Sequence, residues 1–288
     1  MIEKKKNPQF TYWTDSWHRL SSNLPALLGL SVLCLLIFMA LVGPHLNSYT
    51  YYETHLHLKN QPPSEKFWFG TDELGRDLFT RVWWGARISL LVGITASIID
   101  LIVGVLYGSI SGLLGGKVDE GMMRIADILY SIPYLLVVIL LMVVIGSGIG
   151  TIILALTLTK WISMARIVRS QILQLKELDF IKAAQSLGAS KLRILLRHLI
   201  PNAMGSIIIT VTLTIPTAIF AEAFLSFLGL GVQAPIASWG TMANDGLSAL
   251  RYYPWRLFFP AGFISLTILS FNLLGDGLRD AFDPRLRL

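Results

Sequence analysis

Six apolar stretches, each of about 18 to 27 residues and so long enough to cross a bilayer as a helix, constrain this chain more than any other feature. They run from Pro25 to Val42, Ile88 to Leu114, Ile128 to Ile145, Ile149 to Val168, Ser206 to Leu230 and Trp255 to Leu274. A soluble domain carries about 25% charged residues. Here the 288 residues are 53% hydrophobic and only 15% charged, so the expectation is an all-α polytopic membrane protein with six transmembrane helices. Six crossings place both termini on one face. Lys4, Lys5 and Lys6 precede the first stretch, but its apolar core starts late and no small-residue cleavage pattern follows, which reads as a retained anchor. One cysteine, Cys34, excludes an internal disulfide or a cysteine metal cluster.

The net charge of +6 raises the question of nucleic acid, and the distribution of the charge answers it. With the N-terminus inside, 17 of the 24 basic residues fall on inner segments and seven on outer ones, counting Lys160 and Arg166 as snorkelling to the inner interface. The basic pI is therefore membrane topology, with cytoplasmic N- and C-termini, and no nucleic-acid partner is expected. The chain divides into a cytoplasmic tail (1–24), a first span (25–43), an extracytoplasmic loop with an interfacial helix (44–87), a five-span core (88–276) and a second cytoplasmic tail (277–288).

The outer loop holds an acid-rich turn bracketed by Gly70 and Gly75, in which Asp72 or Asp77 caps a helix and Arg76 pairs with either. Trp83 and Trp84 suit an interfacial helix. The same segment is also open to a direct contact with incoming cargo or its carrier. His45, His55 and His57 have no cysteine or clear carboxylate partner, so no metal site is assigned. The inner loop is richer. Asp179 reads as an N-cap, Gly188 as a stop, Ser190 as a second N-cap and Pro201 as a second stop, giving two short helices joined by a tight corner. The first is small-sided at Ala183 and Ala184. The second sets Leu192, Leu195, Leu196 and Leu199 against Lys191, Arg193 and Arg197.

In and just beyond the second span, Gly104, Gly108, Gly112 and Gly116 recur every fourth residue, a small-residue groove with Asp100 one step back along it. An acid at bilayer depth is costly unless it is paired or faces water. Asp100 therefore either bonds to a helix packed in the groove or lines a translocation path, and Glu222 in the fifth span stands evenly between the same roles. Ser111 to Val118 echoes a phosphate loop but lacks its first glycine and final hydroxyl residue, so it is a chance echo.

Ala183-Ala184, Gly188, His198 and Pro201 stand at spacings that resemble the coupling (EAA) loop of permease subunits of ATP-binding-cassette importers. Three further blocks resemble the dipeptide, oligopeptide and nickel branch: Phe69 to Asp77 with Gly85 to Leu90, Phe224 to Val232 with Ser238-Trp239-Gly240, and Asn272 to Asp280 with Asp283-Pro284-Arg285. The resemblance implies a type I importer permease (MetI-like) fold in a bacterial inner membrane. It also implies a second permease chain, two ATPase subunits that carry the ATP and Mg, and an extracytoplasmic substrate-binding protein. No catalytic residue and no cofactor belong to this chain on that reading. Phe180, Lys182, Ala183, Ala184, Leu187, Gly188, Ala189, Ser190 and Pro201 would form the contact with the ATPase. Lys182 replaces the family's glutamate, which would complete a capping box three residues after an Asp179 cap. The cargo implied is a dipeptide or oligopeptide, with nickel or another small solute as the alternative. An ion-coupled secondary transporter would instead show internal repeats and clustered intramembrane charges, neither of which is clear here. A non-transporting scaffold would leave the spacing of the inner loop without a purpose.

Overall fold

The computed structural model describes residues 12–282, so Lys4 to Lys6 and Asp283-Pro284-Arg285 lie outside the described residues. Eleven helices are described: α1 (Tyr12–Ser22), α2 (Leu24–Val42), α3 (Leu78–Leu114), α4 (Gly116–Ser131), α5 (Tyr134–Ile145), α6 (Ile149–Lys176), α7 (Asp179–Ser186), α8 (Lys191–Ile194), α9 (Ile200–Phe227), α10 (Trp239–Leu247) and α11 (Trp255–Phe282). Among the described residues five helical runs are long and apolar enough to cross a membrane by themselves, and the pair α4–α5 meets the same length and hydropathy only when its two bent halves are taken together.

Local chemistry sets the boundaries. Asn23 accepts from the Ala26 amide at 3.1 Å and Pro25 occupies the first turn, where its missing N–H costs nothing, so α2 starts sharply. Asp77 caps α3, accepting from the Thr80 amide at 2.8 Å. Between α4 and α5 the residues Ile132 and Pro133 leave helical geometry and the axis turns by 77°. The third apolar stretch is thus not one straight span. Proline removes the bond that would carry the helix through and pushes its predecessor out of the α region.

Two expected boundaries are corrected. The stretch from Leu78 to Leu90 is not a separate interfacial helix but the first third of α3, which runs unbroken for 37 residues. Trp83 is buried beneath Gly43 and packs on Phe79 and Phe263, whereas Trp84 stacks on Tyr51. The tryptophan pair that suggested an interface belongs to a helix with Trp83 in the core and Trp84 against Tyr51 of the outer loop. Pro201 likewise ends nothing. Helical structure continues from Lys191 to Phe227, and the turn Leu195–Leu199 just before the proline widens so that the Ile200 amide bonds to the Leu195 carbonyl. Widening that turn accommodates a residue with no N–H to give.

Helices α3 and α6 form the most extensive pair, because the glycine row brings the backbones together. A Cβ on Gly104 would lie 2.6 Å from Met164 Cβ and one on Gly112 would lie 2.9 Å from Ile172 Cβ, while one on Gly108 would overlap the Ala165 carbonyl oxygen. Helix α11 packs against α2 through Gly29, whose Cβ would stand 2.6 Å from the Ser270 carbonyl oxygen. The core falls into separate clusters. One joins Trp83, Trp239 and Phe271 under the outer loop, and another joins Val168, Ile172, Ile181, Ile194 and Leu199 beneath the inner loop.

Candidate coupling loop and the charged residues of the bundle

Helix α7 is short and amphipathic, and a single residue pins it. Ile181 is fully buried in the inner cluster, while Phe180 is 44% exposed and Leu187 is 88% exposed. Ala183 is exposed beside them and Ala184 half-buried. At the corner Gly188 adopts φ +81°, its amide bonds to the Gln185 carbonyl at 2.9 Å, and the Ala189 amide bonds to the Ala184 carbonyl at 3.1 Å. This is a Schellman closure, whose left-handed residue is the one position where glycine has no steric penalty. Ser190 then caps α8 as expected, accepting from the Arg193 amide at 3.3 Å.

The N-cap of α7 is Leu178 and not Asp179, which becomes the first helical residue. Lys182 is therefore fourth in the helix, out of capping-box position, and its Nζ lies 3.4 Å from Glu177. Both partners of that pair are largely exposed, so it adds little stability. Farther along, Leu192 and Leu196 face outward while Leu195 and Leu199 are buried, so the four leucines do not share one face. Because α8 continues into α9, displacing the loop must move a spanning helix.

Beside this loop α3, α4 and α6 are tied by a group that sequence reading did not single out. Arg169 Nε and Nη2 each donate at 2.5 Å to the two oxygens of Asp119, and Ser111 Oγ donates to the same carboxylate. Lys176 Nζ donates to the Gly112 carbonyl at 3.2 Å. Arg166, expected at the inner interface, pairs with Asp127 at 2.7 Å and lies over the Tyr130 ring. A two-point pair on a buried carboxylate contributes more than an exposed ion pair. We expect Arg169→Ala to cost about 2 kcal/mol, read as a lower midpoint in thermal unfolding of the detergent-solubilised chain. An unchanged midpoint would mean that the pair is dispensable.

At the outer end the acid-rich turn is a structural clamp. Asp72 Oδ1 accepts from the amides of Leu74 and Arg76, both at 2.9 Å, and Oδ2 accepts from Arg76 Nε at 2.6 Å. Gly70 and Gly75 turn the chain at positive φ, and Gly75 sits against the His55 backbone. Arg256 of α11 reaches across to Glu73 at 2.5 Å and to Asn60 at 3.2 Å. Asp77 also accepts from Asn47 at 2.9 Å. Its carboxyl is raised above the ordinary aspartate range by burial, against its hydrogen bonds with Thr80 and Asn47. Asp245 in α10 is raised for the same reason, against the pull of Arg81. His45 lies 3.2 Å from an Arg87 nitrogen, and His55 and His57 sit edge to face.

The two intramembrane acids separate. Glu222 is fully buried and accepts from Ser89 Oγ at 2.9 Å and Ser226 Oγ at 2.8 Å. Ser89 Oγ also accepts from the Trp239 amide at 3.3 Å, and Trp239 Nε1 donates to the Val82 carbonyl at 2.9 Å. Glu222 thereby locks α3, α9 and α10 together. Asp100 does not bond to the helix in its groove. It is 3% exposed, its Oδ1 has no hydrogen-bond partner among the described residues, and it lines a cavity with Lys160. Lys160, also expected at the inner interface, lies mid-way along α6, over the Tyr134 ring. Its distance from either end of the helix is not legible from a hydropathy stretch alone.

Residues 104–288 match the family described as the binding-protein-dependent transport system inner membrane component. The chain belongs to this family. Residues 11–63 match the N-terminal TM domain of oligopeptide transport permease C. The oligopeptide transport system permease protein OppC of Bacillus subtilis (strain 168) is 59% identical over 99% of this chain and 93% of its own length. The dipeptide transport system permease protein DppC of the same organism is 57% identical, over 98% and 88%. The OppC of Escherichia coli (strain K12) is 45% identical, over 95% and 91%. Among solved structures, an inward-facing MetNI methionine ABC transporter shares the fold at a TM-score of 0.56. It is 18% identical and covers 69% of this chain and 94% of its own. The permease is thus a multi-pass inner-membrane transport subunit with the MetI-like fold that its sequence led us to expect.

Proposed function

We propose that this permease belongs to an ATP-driven importer of dipeptides or oligopeptides. It pairs with a second, different permease chain, rests on two ATPase subunits and receives cargo from an extracytoplasmic binding protein. Both termini lie in the cytoplasm. The peptide cargo is supported by the relatives, which are oligopeptide and dipeptide permeases from more than one organism.

The observation that carries the coupling role is the construction of the inner loop. Phe180 and Leu187 project from a helix that Ile181 anchors, and the corner at Gly188 hands that helix to one continuous with a membrane span. Exposed apolar side chains on an anchored helix suit insertion into a cleft of another protein. When ATP closes the ATPase pair, α7 moves with it, α8 and α9 follow, and the path between the permeases changes the side to which it opens. The whole motion is a population shift set by differential binding of nucleotide.

Purification from native membranes tests this reading. We expect an ATPase pair and a second permease chain to co-purify, and vesicles holding the complex to take up trialanine only with ATP and the binding protein. Accumulation of solute by this chain alone, without nucleotide, would overturn it.

A further inference from the structure

Two cavities open within the membrane-embedded part of the bundle. One, of about 370 Å³, lies among α3, α6 and α9 and is lined by Asp100, Lys160, Thr214 and Thr217. The other, of about 570 Å³, lies among α5, α6, α9 and α11 and is lined by Tyr134, Lys160, Thr217 and Asn272. They meet at Lys160 and Thr217. The walls are mostly apolar, and a carboxylate and an ammonium set among them are unusual inside membrane-spanning helices. Asp100 stands about 21 Å along α3 from its inner end, and Lys160 about 24 Å along α6 from its inner end. Both residues thus stand several turns inside helices that are long and apolar enough to cross a membrane.

The wall is also unfinished. Asp100 Oδ1 and Tyr134 Oη are buried atoms without a hydrogen-bond partner among the described residues, and each residue shares a cavity with Lys160. Glu222 shows what a purely structural acid looks like in this bundle, because serines of two helices meet its carboxylate. Asp100 has no such provision. Lys160 is near enough to act on Asp100 through space, yet among the described residues the two form no close ion pair, and a carboxylate and an ammonium left so inside a membrane span are costly unless a third party completes them.

We propose that Asp100 and Lys160 form a binding site for a zwitterionic peptide in the translocation path, Asp100 taking the terminal ammonium and Lys160 the terminal carboxylate. This rests on the peptide-import reading above. The hydroxyls of Tyr134, Thr214 and Thr217 offer donors and acceptors to the peptide backbone between the two charges. Groups of opposite sign at one place favour a ligand that carries both signs and disfavour one that carries a single charge. The two residues thus select for free termini after the binding protein has released its cargo.

The test uses the complete transporter in nanodiscs without binding protein, with trialanine, N-acetyl-trialanine and trialanine amide as probes in saturation-transfer NMR. For the wild-type complex, acetylation or amidation is expected to weaken binding at least about tenfold. Asp100→Asn should bind trialanine about as weakly as the wild type binds its acetylated form, with no further loss on acetylation. Lys160→Gln should show the same relation to the amide. Such a matched loss is a coupling between one side chain and one terminus, which a merely structural role would not produce. Trialanine binding by both variants at the wild-type level would overturn the proposal. So would failure of the variants to retain the second permease chain, because the two charges would then be completing a subunit interface. A wild-type complex that binds none of the three probes also overturns it. If that complex still imports trialanine with ATP and binding protein, the peptide-import reading stands without this site.

Discussion

Replacing Gly188 by proline is expected to reduce ATP-driven uptake more than about tenfold while leaving membrane insertion intact, since each 1.4 kcal/mol is a decade in population. The backbone dictates this. Gly188 holds φ at +81°, whereas a proline ring fixes φ near −65° and deletes the N–H that reaches the Gln185 carbonyl. The resulting strain, about 3 kcal/mol, falls on the corner that fixes α7 relative to α8. Nothing lies within 4 Å of a Cβ at this glycine, so the bundle itself meets no clash. The defect should therefore appear in transport assays and in docking of the ATPase pair, and not in the amount of chain in the membrane. Gly188→Asn is the control. Asparagine tolerates the left-handed region better than other residues with a side chain, and it should keep most of the uptake. Normal uptake by Gly188→Pro would refute the proposed transmission of motion from α7 to α9.

Gly108→Leu should act elsewhere in the chain of cause, on the bundle before any transport is attempted. Its Cβ would overlap the Ala165 carbonyl oxygen and stand 3.0 Å from Ala165 Cα, both fixed parts of α6. Backbone cannot swing aside as a side-chain end can. The helices must part, and Gly104 and Gly112, a turn on either side, lose their close approach as well. The expected loss is about 3 kcal/mol, at the upper end for overpacking a tight core. Lower yield of folded chain and a lower midpoint in thermal unfolding would register it. Gly262→Leu provides the comparison, since that glycine of α11 has nothing within 4 Å and should accept leucine with little change. Equal behaviour of the two variants would mean that the glycine row is not a packing groove.

Both predictions use glycines that were visible in the sequence, yet in different ways. The four-residue period of Gly104, Gly108 and Gly112 implied a close helix neighbour, because a helix face repeats at nearly that interval. Which helix filled the groove was not implied. The corner at Gly188 was legible because only a left-handed residue closes a helix in so few atoms, and Ser190 as the next cap followed from its hydroxyl. Pro201 misled for a physical reason. A proline at the start of a helical run and one after its end look alike in sequence, and only the widened turn at Leu195–Leu199 tells them apart. Asp179 was displaced by one position through a similar ambiguity, since an aspartate stabilises the first turn from inside the helix as well as from the cap.

The apolar spans, the sorting of basic residues and the turn-forming residues of the two loops came from the sequence, because hydrophobic length, membrane charge bias and local backbone preference act over a few neighbours at a time. Which charges are completed came only from the tertiary structure. Ser89 lies 133 residues from Glu222 and Asp119 lies 50 from Arg169, and such partners meet only when helices pack. The same packing leaves Asp100 facing Lys160 across a cavity, for burial and pairing are properties of the assembled bundle and of no single segment.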